Sequence, residues 1–196
     1  RAMREIEDAL QKAERSGDDL ALAQARMALG VALVHRHTPA ERGRGHEILT
    51  EVSDVFLRRK HNLCDLPLVT VCLAREVARR GDHGEAITRM RAAVDHLFRD
   101  ERPLIYSVAA TGVLVQTLLD RGTDDDMDEA KAAIDRLART PTEGVVVRDI
   151  WLLQMHASLA RARGDTAAYA ESRDRYRDKA KSLEFEGHID WAEAMP

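Results

Sequence analysis

The chain is poor in cysteine, in proline and in long apolar runs, and it carries no excess of positive charge. Its two cysteines, Cys64 and Cys72, have neither zinc-site nor thioredoxin-like spacing. Cys72 stands among Val69, Leu73 and Val77 on what reads as a buried helix face. Both are expected to be reduced thiols, with no disulfide. No apolar stretch approaches the roughly 20 residues needed to span a bilayer, and the N-terminus lacks a signal-peptide pattern. The expectation is a cytoplasmic protein with no membrane partner. A net charge of -4 argues against nucleic acid, whose binding demands a basic stripe. The chain opens on Arg1 rather than Met, which reads as a piece of something longer.

What is present is amphipathic helix. The content is 44% hydrophobic and 33% charged with both signs interleaved, which suits an ordered core rather than disorder. One turn recurs: Arg80-Gly81-Asp82, Arg121-Gly122-Thr123 and Arg163-Gly164-Asp165, with glycines 41 and 42 residues apart. Each closes one apolar helical run and precedes another, and Ala86, Ala130 or Ala170 lies inside the second. Four of the five prolines (Pro39, Pro67, Pro103 and Pro141) fall at expected helix starts. Val145-Val146-Val147 is the one strand-like run, and a helix entry explains it equally well. The run from Leu20 to Val34 is apolar on most sides, as in a helix packed between neighbours. The pattern predicts an all-α chain of about nine helices. It forms one helical-repeat domain over 1–196, with antiparallel hairpins near 18–60, 66–99, 103–139 and 142–183. Residues 184–196, with Phe185, Ile189 and Trp191, are expected to cap the stack; undocked, they would offer a homodimer surface.

Candidate chemistry is sparse. Asp124, Asp126 and Asp128 alternate as in a calcium loop, with Asp135 eleven residues after the first. But Glu129 occupies the position where such a loop needs Gly, and acidic residues in a first helical turn suit the helix dipole. The capping reading is preferred. His35, His37, His46, His61 and Cys64 lack the spacing of a zinc site, and His35 and His37, two apart, point in different directions. His156 reads as a hydrogen-bonded core residue. No nucleophile elbow and no phosphate loop is present, so no enzymatic activity, catalytic residue, metal or cofactor is expected.

Arg80-Gly81-Asp82-His83-Gly84-Glu85-Ala86, with Met90 and Ala93, resembles the second half of a tetratricopeptide repeat. The resemblance implies a right-handed superhelix of hairpins whose first helices line an inner groove. Registered on each glycine, and on His37 for the first unit, that groove would carry Gln24, Met27, Val31, Arg75, Arg79, Gln116, Trp151, Gln154 and Arg161. Such a groove suits an extended acidic peptide, a helix, or another domain of the same chain, with Arg clamping carboxylates and Trp supplying apolar area. The run from Leu183 to Pro196 resembles the C-terminus of large actinobacterial regulators that join a nucleotide-cyclase-like domain and an AAA-type ATPase to a helical-repeat arm. An Arg-rich, Lys-poor composition is compatible with a high-GC bacterial source. The resemblance implies a regulatory, protein-binding arm. The alternative is a small-molecule sensor, with a deep pocket lined by Met27, Val31, Leu68, Val71 and Trp151, that transmits occupancy to an attached catalytic or DNA-binding domain.

Overall fold

A computed structural model describes residues 2–36, 38–60, 62–99, 105–141 and 146–196. Among them the chain is all-helical, with ten helices and no strand. No helix of the described residues is long and apolar enough to cross a membrane. The chain divides into two compact units, Arg1–Arg89 and Met90–Pro196, with the boundary inside one helix.

The first unit holds α1 (Ala2–Ser16), α2 (Asp19–Val34), α3 (Pro39–Arg59), α4 (Leu66–Arg79) and the start of α5 (His83–Arg99). Local chemistry sets these ends. Asp18 accepts from the backbone N–H of Leu20 at 2.8 Å and of Ala21 at 3.2 Å, capping α2. Thr38 accepts from the Glu41 N–H at 3.2 Å, and Pro39 opens α3 where its missing N–H costs nothing. Gly81 ends α4 at φ 104°, a left-handed conformation that a side chain would strain. The following Asp82 N–H returns to the Val77 carbonyl at 3.3 Å. α2 packs on α1, on α3 and on α4. Leu33, Val34, Leu49, Val52, Phe56, Leu68, Val69, Val71 and Cys72 are buried within this unit.

The second unit holds the remainder of α5, α6 (Ile105–Arg121), α7 (Asp124–Arg139), α8 (Val146–Ala162), α9 (Thr166–Ser182) and α10 (Glu186–Glu193). α6 pairs with α7 and α8 with α9, and α6 lies against α8. Gly122 and Gly164 share the left-handed conformation of Gly81. Ile134, Leu137, Leu118, Ile150 and Tyr176 are fully buried.

Two details differ from expectation. The helices among the described residues number ten, because the expected cap contains one, α10, which packs on α9. The turn before it repeats the glycine turn without a glycine: Glu184 sits at φ 53°, and the Phe185 N–H returns to the Ala180 carbonyl at 3.2 Å. Pro141 follows the end of α7, where Thr140 is the last cap; the helix start expected just after it falls on residues 142–145, outside the described residues, and the described part of α8 begins at Val146. The helix start expected at Arg102-Pro103, together with Val145, His37 and His61, lies outside the described residues.

Candidate functional site

In the second unit, three of the residues expected to line a groove share one cleft. Gln116 of α6 and Gln154 and Arg161 of α8 face each other across about 290 Å³, together with Asp120 and Ser158. One turn separates Gln116 from Asp120 and Ser158 from Gln154, so each pair stands on one face of its helix. Trp191, Ala194, Met195 and Pro196 form the remaining wall. Gln116 donates through Nε2 to Oδ1 of Asp120 at 2.8 Å, so the Asp120 carboxylate is already engaged. Arg161 is exposed, with no ion-pair partner among the described residues. The cleft therefore offers two amides, each with donors and an acceptor, one hydroxyl and one available guanidinium.

Trp151 is placed differently from a groove anchor. It is half-buried beneath α10, edge-on to His188 (ring centroids 5.4 Å apart) and to Trp191 (5.5 Å). Its ring also rests on Gly112 of α6, where a Cβ would lie 2.3 Å from the indole; only glycine leaves that space. The docked tail thus covers Trp151 and leaves the glutamines and Arg161 open. Further hydrogen bonds hold this end of the chain. The Tyr176 hydroxyl and Nδ1 of His188 are hydrogen-bonded at 2.9 Å, and the Tyr169 hydroxyl donates to the Pro196 carbonyl. Burial pushes His188 down to about 4 from its ordinary 6.5, and it pushes the fully buried Tyr176 phenol upward.

The first unit treats its expected groove residues less kindly. Gln24 is exposed, but Met27 is only 7% accessible and belongs to the core. Arg79 is committed at the C-terminal end of α2, donating through Nη1 to the Val34 carbonyl at 3.1 Å and pairing with Glu76. A cation there also suits the helix dipole. Arg75 is half-buried, and its charge reaches His35. The His35 ring donates through Nδ1 to the Val31 carbonyl at 2.8 Å. Burial first, and Arg75 next, bring His35 down to about 4. Exchange of Arg79 therefore removes a helix cap as well as a charge, which leaves Arg161 as the cleaner probe of the groove.

Other candidates resolve into structure. Leu68 and Val71 of the expected sensor pocket are buried in the first unit's core, and Trp151 is covered in the second. Thr123 caps α7, accepting from the Asp126 N–H at 3.2 Å, and Asp126 reciprocates by accepting from the Thr123 N–H at 3.1 Å. Among the described residues no group of three or more acidic, histidine or cysteine side chains is placed to hold a metal ion. His156 is exposed rather than in the core. Cys72 is fully buried, with its thiol pushed up to about 12 by burial, and Cys64 is exposed; both are free thiols.

No protein-family model, no curated protein and no solved structure matches this chain. The class of molecule defined here is an all-helical protein whose second unit carries an open, donor-rich cleft beside a docked aromatic tail.

Proposed function

We propose that this chain is a non-catalytic, tetratricopeptide-like interaction domain of a multidomain bacterial regulator. It binds an extended acidic segment of another protein, or of another domain of its own chain, in the cleft between α6 and α8, the first helices of its last two hairpins. The observation that carries the reading is the meeting of Gln116, Gln154 and Arg161 in one open cleft. A glutamine amide can donate to and accept from a peptide backbone at once, which fits an extended main chain without reading its sequence. Arg161 adds the selective element, a guanidinium fork matched to a carboxylate. Shape and these few contacts suffice, with no cofactor. Trp191 and Met195 supply the apolar wall against which a side chain can pack.

An array of peptides of about ten residues, acidic and neutral versions of the same frames, tests the reading. The acidic versions are expected to bind preferentially. A hydrogen bond to a charged group is worth about 1.5–3 kcal/mol, so Arg161→Glu is expected to weaken them at least about tenfold. Because Arg161 is exposed, the thermal midpoint should move little. No acidic preference, or acidic binding that survives Arg161→Glu, would reject the proposal.

A further inference from the structure

The second unit has another cleft, on the opposite partners of α6. It measures about 250 Å³ and lies between the later part of α5, α6 and α7. Val94, Phe98, Leu114 and Ala133 make its walls apolar. Two ion pairs cross it from α5 to α7: Arg91 Nε to Glu129 at 2.6 Å, and Arg136 Nη1 to Asp95 at 2.6 Å. The Arg136 guanidinium also lies 4.2 Å from the centroid of the Phe98 ring. Each rim cation thus has its own rim anion, and the opening carries no net charge.

Thr111 of α6 is among the lining residues, fully buried, and its hydroxyl has no hydrogen-bond partner. This matters because a buried hydroxyl without a partner is destabilising, and valine would fill the same volume without that cost. Thr117, six residues along the same helix and also buried, donates to the Val113 carbonyl at 2.8 Å, as an ordinary helical threonine does. The unsatisfied hydroxyl at Thr111 is therefore a departure that calls for a partner.

We propose that this cleft binds a small, neutral, phenol-like molecule of roughly ten heavy atoms, with its apolar body against Phe98 and Leu114 and its hydroxyl paired with Thr111. The mutually paired rim excludes a charged ligand, since either sign would have to break an existing ion pair. The apolar walls supply the attraction, and the single buried hydroxyl supplies the selectivity, a common division of labour in small-molecule sites. The site is separate from the glutamine and Arg161 cleft and does not depend on it.

The probes are 4-propylphenol and propylbenzene, titrated against the full chain and followed by ligand-observed NMR and thermal shift. The phenol is expected to bind at least about fivefold more tightly than the hydrocarbon, the effect of one hydrogen bond. Thr111→Val should bind both compounds alike, at the hydrocarbon's affinity. The same variant should raise the unliganded midpoint by about 2–4 °C, because it removes the unpaired hydroxyl. Ala133→Met, which fills the cleft and leaves Thr111 intact, should abolish binding of both. The proposal is overturned if neither compound binds, if wild type does not distinguish them, or if Ala133→Met still binds either. Discrimination that persists in Thr111→Val would equally overturn it. Arg161→Glu should leave all of these values unchanged, so failure here and failure of the peptide reading are separate results.

Discussion

Asp126→Ala is expected to destabilise the second unit by about 3 kcal/mol, a large loss for a single side chain. Asp126 is fully buried. It accepts from Arg121 Nε at 2.8 Å and also pairs with Nη2 of the same guanidinium. It accepts as well from the Thr123 hydroxyl at 2.7 Å and from the Thr123 N–H at 3.1 Å. Removing the carboxylate therefore strands a partly covered guanidinium and opens the capping box of α7 together. Asn in its place keeps the shape and some of the bonds, and should cost about half as much. Both tryptophans, Trp151 and Trp191, stand in the second unit, so tryptophan emission in urea reports this unit's midpoint. An Asp126→Ala midpoint within error of wild type would show that the cap is ornamental. The Arg121 pair holds the Asp126 carboxyl below the ordinary carboxylate range. Its contribution is thus present above about pH 4 and fades only as pH falls further, toward the lowered folded value.

Acid should act earlier on α10. The His188 ring is pushed down to about 4 in the folded protein, against 6.5 in an open chain. In the window between those values the unfolded tail takes up a proton that the docked one refuses. Stability is therefore complete above about pH 6.5 and falls as pH drops toward 4. A lowering of this size corresponds to roughly 3 kcal/mol, enough to loosen an eight-residue helix from its platform. The readout is the wavelength of maximum tryptophan emission, which should move to the red as Trp191 leaves Trp151. Intensity is a poorer guide, because an imidazolium quenches indole. His188→Leu removes the titrating group and should flatten the transition. An emission maximum constant from pH 7 to 4, or an unchanged transition in His188→Leu, would show that α10 is held by other means. His35, also lowered to about 4 by burial, adds a loss of the same sign in the first unit, where no tryptophan reports it.

Much of the architecture is legible in the sequence because it rests on local chemistry. Gly81, Gly122 and Gly164 mark chain reversals since each adopts a conformation that a side chain resists. The register set by Gly122 and Gly164 places Gln116, Gln154 and Arg161 on the sides of α6 and α8 that meet in one cleft. The failures share a physical cause. α2 is apolar nearly all round, so its periodicity does not say which side meets water, and Met27 turns inward where an open groove was expected. α8 is similarly indistinct, and its His156 faces out. α10 is not legible as a helix because eight residues are too few to be stable alone, and its formation depends on contacts with Trp151 and Tyr176. The turn before it places Glu184 where the other turns use glycine, which hides the landmark. The commitment of Trp151 to Gly112 is a contact between helices, invisible to any local pattern, although a lone glycine amid the apolar run of α6 was its one trace.

The claim that the cleft between α6, α8 and the tail is the contact surface has one direct measurement. An acidic peptide of about ten residues, taken from the array, is titrated into the isotopically labelled full chain and followed by amide and indole NMR shifts. The side-chain amides of Gln116 and Gln154, the Arg161 guanidinium and the Trp191 indole are expected to shift together with one saturation curve. The Phe98 and Thr111 cleft should remain still. Saturable shifts centred on any other surface, with Gln116, Gln154 and Arg161 unmoved, would contradict it.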